Sequence, residues 1–458
     1  MMLFKRVLFI ALPLVLAGSF VPRPGYALGV LDAYALALEK DPTFQAALKE
    51  RDAGLESENI GKAGLLPQVS MSYQNGPRNW QTQKYPQRDI LGGISQATQH
   101  RQYRSYASSV VLTQPLFDYE AYANYKAGLV QAQIADQRYR GKYLNLAVRV
   151  ITAYVDVANA VDQVMLAEQQ REVLKQQLNL NQHLYQAGEG TVTDISETEA
   201  RYSLSEAQLI DARDDLDATQ RNLEAMIGVP LSQLDGMQTI RPGKFEVLTL
   251  SPEKYADWEA LALRHNPVLA SSRDAIEAAK YEIEKNRAGF MPQVQLYASH
   301  SENDSSSDNT VNQKYRTDSI GIRVNVPIYS GGGVSASTRQ AVAKYGQAMY
   351  EKDEQVISTL NDLRKQYNAC MSSKTRLAAY ELAEKAASLQ VEATRKSVMA
   401  GQRANIDVLN AQQQLFSTQR DLATAKYNYI KAWVNLLSDS GTLAEGDLLK
   451  VARYFSKV

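Results

Sequence analysis

The spacing of apolar residues changes abruptly at Pro67. Upstream they recur three and four apart, as on one face of a helix. Downstream, Val69, Met71 and Tyr73 alternate with Gln68, Ser70, Ser72 and Gln74, as in a strand whose two faces meet different media. The same change recurs at Pro292, in the stretch GFMPQVQLY from Gly289 to Tyr297. Gly64 maps onto Gly289, Pro67 onto Pro292 and Val69 onto Val294 at one offset of 225 residues, which also carries Asp41-Pro42 onto Asn266-Pro267. A duplication of this size makes one architecture built twice the expectation for 458 residues, rather than two or three unrelated domains.

Residues 28–230 read as the first repeat, 231–252 as a linker, 253–440 as the second repeat and 441–458 as a tail with a short amphipathic piece. Each repeat reads helix, strand, strand, helix, helix. In the first, a helix over 31–63 takes Pro42 at a first turn or kink. Strands are expected at about 67–75 and 104–115, joined by a polar connection over 75–102. A Pro-free helical stretch over 119–185 follows, about 100 Å long at 1.5 Å per residue. The segment from Ala187 to Gly190 ends it, and Thr191 to Asp194 caps the next helix, which runs to about Ile227. In the second repeat a helix over 253–288 leads to strands at about 292–300 and 316–328 around a polar tip at 301–308. A long helix then runs from the glycines at 331–333 to Met399, and a last one spans 406–438.

Within the first long helix, Leu144, Val148, Ile151, Val155, Ala158, Asp162 and Met165 form one seam. A second comprises Ala147, Val150, Tyr154, Val157, Val161 and Val164. Two adjacent seams describe a helix gripping a neighbour on each side, as in a barrel wall or a bundle. In both repeats the two shorter helices sum to the length of the long one, so stacking them beside it builds a wall of uniform height.

Fifty basic and 50 acidic residues leave no net charge, which gives no support for nucleic-acid binding. Mean hydropathy is −0.35. Past the N-terminus no uninterrupted apolar run approaches the roughly 18–20 residues of a spanning helix, so insertion into a membrane falls to strands. Residues 1–27 read as a signal peptide: Lys5 and Arg6, an apolar run from Val7 to Ala17, then small residues at Gly25 and Ala27. The single cysteine, Cys370, allows no intramolecular disulfide and no N-terminal lipid. His100, His183, His265 and His300 lack ligand spacing, and Gly331-Gly332-Gly333 lacks the Lys-Ser/Thr of a phosphate loop. No catalytic residues, metal site or cofactor are expected.

The clearest alternation sets Ile320, Ile322, Val324, Val326 and Ile328 against Ser319, Gly321, Arg323 and Asn325. The apolar set is expected on lipid and Arg323 in a wet lumen, since an Arg at the lipid midplane costs about 2–4 kcal/mol. Tyr106, Tyr297 and Tyr329 lie near strand ends, where an aromatic girdle or ordinary packing both account for them. Four strands cannot close a membrane barrel, and an open edge is not tolerated in lipid. The chain must oligomerise, and a dimer or a trimer would each reach a known strand number.

These features resemble the TolC family of outer-membrane efflux and type I secretion channels across essentially the whole mature chain. The specific matches are the duplication, the Pro-Gln-Val strand starts, and two turn signatures, AGEGTVTDI from Ala187 and AGQRANIDVLNAQ from Ala400. The turns align at an offset of 213, which sends Gly188 onto Gly401 and Asp194 onto Asp407. The resemblance implies a mainly α fold with a small β part: a homotrimer whose long helical tunnel in the periplasm continues into a twelve-stranded transmembrane barrel. It also implies a periplasmic adaptor protein and an inner-membrane ABC or proton-driven transporter as partners, with the turns at Gly188, Gly190 and Gly401 facing the adaptor. Type I protein secretion is the expected use, favoured by the lack of a lipid-bearing cysteine. Multidrug efflux, and further off a periplasmic coiled-coil adaptor, are the alternatives. By the same resemblance Asp194 and Arg403 form a charge link that holds the tunnel mouth shut, and Asp407 forms an acidic constriction. The chain departs from the family pattern at Asn410, where a second acidic ring is expected, and at Val398, where a gating tyrosine is expected. From the residues alone Asp194 also reads as a helix cap and Asp407 as a first-turn acid on the helix dipole.

Overall fold

The computed structural model describes residues 27–233, 237–240, 245–305 and 313–456. The signal-peptide expectation lies outside these but for its last residue, as does the outer part of the 301–308 tip. In chain order the α-helices and strands are α1 (Val30–Lys40), α2 (Pro42–Ala63), β1 (Gln68–Arg88), β2 (Ile94–Phe117), α3 (Tyr119–Gln186), α4 (Val192–Ile227), β3 (Thr239–Ile240), α5 (Tyr255–His265) and α6 (Pro267–Arg287). They continue as β4 (Gln293–Ser305), β5 (Gln313–Asn325), α7 (Gly333–Met399), α8 (Asn405–Asp439), α9 (Glu445–Ala452) and β6 (Phe455–Ser456).

The helices expected over 31–63 and 253–288 are each two helices. Asp41 ends α1 and caps α2, accepting from the backbone N–H of Thr43 and Phe44 at 3.4 and 3.2 Å, with Pro42 at the first helical position. Its buried carboxylate is met by the Arg149 guanidinium from α3. Asn266 does the same for α6, accepting from Val268 and Leu269 at 2.9 and 3.1 Å. It also donates from Nδ2 to the Asp439 carbonyl at 2.8 Å. The acid-to-amide change between repeats follows the partner, because a carboxylate cannot donate to a carbonyl.

The polar connection expected over 75–102 is instead a continuation of both strands. β1 pairs with β2 from Gln68 opposite Thr113 to Arg88 opposite Ile94, with a bulge between Gly76 and Asn79. Asp89 closes the hairpin by accepting from the N–H of Leu91 and Gly93 at 2.9 and 2.8 Å. This outer ribbon buries neither face, so it lacks the apolar alternation that marks a strand in sequence. β4 and β5 likewise reach further into their tip than expected. β5 ends at Asn325, which leaves Val326 and Ile328 beyond the strand.

The sheet is antiparallel in the order β1-β2-β4-β5, which leaves the outer edges of β1 and β5 open. Its register aligns Val69, Leu112, Ala298 and Ile320 across all four strands, and Met71, Val110, His300 and Asp318 in the next row. Leu296 with Ile322 and Val294 with Val324 extend this apolar face, which is exposed in the single chain; Ile320 is 78% exposed. The other face carries Ser70, Ser72, Ser109 and Ser299, with the Arg323 guanidinium 5.2 Å from the ring centre of Tyr297. Tyr297 therefore belongs to the polar face. Tyr106 packs edge-on to Tyr73 on the apolar one, ring centres 5.5 Å apart.

Below the sheet the helices form one layer. The 68-residue α3 has α2 and α4 stacked along one side and α6 and α8 along the other, and the 67-residue α7 lies against α6 and α8. α2 and α3 approach so closely that a Cβ at Gly128 would fall 2.4 Å from the Ser57 carbonyl oxygen. Midway down, α1, α5, α9 and the β3–β6 pair wrap α3, α7 and α8, with α5 lying on α7, and enclose the main core. Fully buried Tyr154 donates from its hydroxyl to the Leu28 and Gln238 carbonyls at 2.8 and 3.1 Å, and its ring meets Phe455 edge-on. Asp162, the polar break in the first seam, accepts from the Tyr427 hydroxyl at 2.7 Å, while burial raises its carboxyl above the usual range. One stretch of α3 is long and apolar enough to cross a membrane, but most of it is buried.

Candidate functional site

The ends of the helical layer remote from the sheet are two helical hairpins, α3–α4 and α7–α8. Their turns share one geometry. Gly188 and Gly401 adopt φ of 76° and 72°. Glu189 N–H bonds to the Leu184 carbonyl at 2.8 Å, and Gln402 N–H to that of Ser397 at 2.9 Å, so each long helix ends in the same left-handed glycine cap. Gly190 lies against the backbone, where a Cβ would sit 2.9 Å from the Tyr185 nitrogen.

The helices that follow start differently. Thr191 and Asp194 form a reciprocal capping box: Asp194 N–H to Thr191 Oγ1 at 3.1 Å, and the N–H and hydroxyl of Thr191 to Asp194 Oδ2 at 3.2 and 2.5 Å. Asp407 occupies the same third position of α8, but the capping residue there is Ala404, which has no side-chain hydroxyl; the Asp407 N–H bonds to its carbonyl at 3.1 Å instead. The Asp407 carboxylate has no hydrogen bond or ion pair among the described residues. Arg403 is exposed in the turn and also has none, so the structure does not bring Asp194 and Arg403 together within one chain. Val398 lies in the last turn of α7, its carbonyl accepting from Gly401 N–H at 2.9 Å.

What does join the two hairpins is a seam of polar side chains between α8 and the first hairpin. Going toward the tips it comprises Lys431 to Asp156 at 2.8 Å, Tyr427 to Asp162, Gln163 to Thr424 at 3.5 Å, Gln170 to Gln413 at 3.1 Å and Gln177 to Asn405 at 3.0 Å. Gln163, Gln170 and Gln177 recur every seven residues, which keeps them on one face of α3. One to two turns above the tips, Arg201 from α4 also donates to Asn410 Oδ1 at 2.7 Å. Asn410, where the resemblance leads one to expect an acid, thus accepts a guanidinium from the first hairpin. Within this seam Gln412 is buried with both amide atoms unpaired, and Arg171 Nε and Asn405 Nδ2 are also buried, all without partners among the described residues. A buried unpaired polar group costs about 1–3 kcal/mol, so the seam holds the hairpins together weakly. Reading the sequence missed Arg201 and the glutamine ladder; the seven-residue spacing of the glutamines was its one visible signal.

Among the histidines, His300 pairs with Asp318 at 2.6 Å across β4 and β5, and His100 with Thr82 at 3.0 Å across β2 and β1. Residues 33–229 and 258–442 match the outer membrane efflux protein family. The chain belongs to that family. Membership places the sheet of this efflux-family chain in the outer membrane and its helices in the periplasm. The chain is 45% identical over 434 residues to the alkaline protease secretion protein AprF of Pseudomonas aeruginosa, spanning 94% of this chain and 88% of that one. It is 41% identical over 432 residues to the proteases secretion protein PrtF of Dickeya chrysanthemi, spanning 94% and 91%. Outer membrane protein TolC of Escherichia coli is 26% identical over 476 residues, spanning 99% and 90%. Among solved structures, CusC superposes with a TM-score of 0.75 at 15% identity, covering 90% of this chain and 92% of that one. The CmeC outer membrane channel of Campylobacter jejuni gives 0.74 at 15%, covering 93% and 90%. At such identities these two speak for the fold alone.

Proposed function

We propose that three copies of this chain close a twelve-stranded barrel and a helical tunnel beneath it, forming the outer-membrane exit of a type I protein secretion system. The observation that carries this reading is the four-stranded sheet with an exposed apolar face and two open edges, a surface that is stable in lipid only once the edges are paired. β5 runs toward the helices and β1 away from them, so β5 of one copy meets β1 of the next antiparallel, as every other pair in the sheet does. Native mass measurement in detergent is expected to give a trimer; a dominant monomer or dimer would overturn the stoichiometry.

Protein export is favoured over drug efflux by the two protease-secretion relatives, each more than 40% identical along nearly the whole chain. The partners are then a periplasmic adaptor and an inner-membrane ABC transporter, with the adaptor meeting the turns at Gly188, Gly190 and Gly401. In a strain lacking its own channel but holding the transporter, adaptor and protease of such a system, this chain should restore protease to the medium. Cell-retained protease together with restored drug resistance would instead assign it to efflux.

The tunnel mouth is held shut at the hairpin tips. Asp407, whose carboxylate is uncommitted, lines the three-fold axis. Arg403 reaches Asp194 of the next copy through Oδ1, which the capping box leaves open. Within each copy Arg201 and Asn410 latch the second hairpin to the first.

A further inference from the structure

Charge is distributed unevenly along the first hairpin. Residues 68–77 and 105–117 carry none, whereas 78–104 hold Arg78, Lys84, Arg88, Arg101 and Arg104 against one acid, Asp89, whose carboxylate is engaged in the turn. Pairing of β2 with β4 reaches Ser105 opposite Ser305, and among the described residues β4 follows it no further. From Asn79 opposite Tyr103 to Arg88 opposite Ile94 the two strands continue alone as a ribbon about 30 Å long. It leaves the barrel at the end away from the helices, on the outer side of the membrane.

The register assigns faces. Alternation along β2 puts Arg104, Gln102 and His100 on the face that carries Val110 and Leu112. Pairing of Trp80 with Gln102, Lys84 with Thr98 and Arg88 with Ile94 puts those three there too. The contact of Thr82 with His100 across this face fits the same assignment. Arg104 and Trp80, the latter 77% exposed, thus lie just beyond the apolar band, with Lys84 and Arg88 farther out along the same face of the ribbon, while Arg101 is on the lumen side.

We propose that this face of the ribbon binds the phosphate groups of outer-leaflet glycolipids. Guanidinium and ammonium groups match phosphate oxygens, and an exposed tryptophan beside them suits the boundary between acyl chains and headgroups. The side facing the lumen lacks this concentration of cations, which disfavours an acidic exported polypeptide as the partner. The inference rests on the outer-membrane placement, so trimer assembly and conductance are measured alongside binding.

The test uses the full-length protein in detergent, with native mass spectrometry following the binding of bisphosphorylated lipid A, its dephosphorylated form and inorganic phosphate. The parent should bind the bisphosphorylated form in a salt-sensitive way. Replacing all three cations (K84Q, R88Q and R104Q together) should weaken binding on the order of 100-fold with conductance unchanged. The dephosphorylated lipid should bind as weakly, and inorganic phosphate should not compete at matched concentration. K84Q alone, expected to lose about fivefold, serves if the triple variant fails to assemble. Triple-variant binding within about threefold of the parent, or equal binding of the dephosphorylated lipid, overturns the proposal. So does displacement by inorganic phosphate, and so does a variant that keeps lipid binding yet loses protease export, which would give the face to the cargo.

Discussion

Removing the Arg201 guanidinium should open the tunnel from its periplasmic end. The bond to Asn410 is short, 2.7 Å, but exposed, so it is worth about 0.5–1 kcal/mol rather than the larger value of a buried charged hydrogen bond. In the proposed trimer, opening that moves the second hairpin of all three copies together breaks three such bonds, about 1.5–3 kcal/mol, and shifts the open-to-closed ratio by roughly 10- to 150-fold. Arg201→Ala, inserted into planar bilayers, should therefore show long-lived high-conductance states that are rare in the parent. Asn410→Ala should do the same, and the double variant no more than either single one, because the same contact is lost each time. Arg213→Ala is the control: its 2.7 Å bridge to Glu168 lies within the first hairpin and should leave gating unchanged. Arg201→Ala channels that conduct like the parent, or a double variant whose effect is the sum of the singles, would refute the latch.

Asp407→Asn should leave the gate shut while lowering cation preference and block by multivalent cations, read as reversal potential and block in the same bilayers. A membrane-soluble thiol reagent should label Val324→Cys and not Arg323→Cys, with a water-soluble reagent doing the reverse; labelling of Cys at 323 from lipid would reverse the assignment of the sheet's faces. Burial, with repulsion from Asp362 added, pushes the Asp439 carboxyl up to about 6. The native chain therefore holds that proton more tightly than the unfolded chain. Stability from this group is gained as pH falls from about 6 toward 4 and is absent above 6. Asp439→Asn should accordingly stabilise at pH 7.5 by at most about 3 kcal/mol and not at pH 4, as read by thermal unfolding at both values.

The two long helices were legible to within a residue or so, because no proline interrupts them and glycine caps end them. The breaks at Asp41 and Asn266 were not, since a proline at the first turn of a new helix and one at a kink in an old helix look alike until the cap geometry is seen. The outer ribbon was invisible for a different reason: hydrophobic alternation reports burial, and this ribbon has none to report. At the tips, the hydroxyl that Thr191 exchanges with Asp194 has no counterpart at Ala404, three residues before Asp407, and that much was written in the sequence. The Arg201–Asn410 contact joins residues 209 apart across two repeats, and no local pattern in one sequence encodes it.

The two open edges of the sheet belong to different strands, so in the proposed trimer each copy pairs its β1 edge with one neighbour and its β5 edge with the other. A ring built this way has no spare contact. A copy with a damaged β1 edge still docks through β5 and occupies a place that it cannot complete, so damage spreads to the intact copies it joins. With three copies to a ring, equal expression of sound and damaged chains would leave about one eighth of the rings whole. Lesions confined to β1 or β5 should therefore be dominant in cells that also make the intact chain, whereas lesions that keep the chain from reaching the membrane should be recessive.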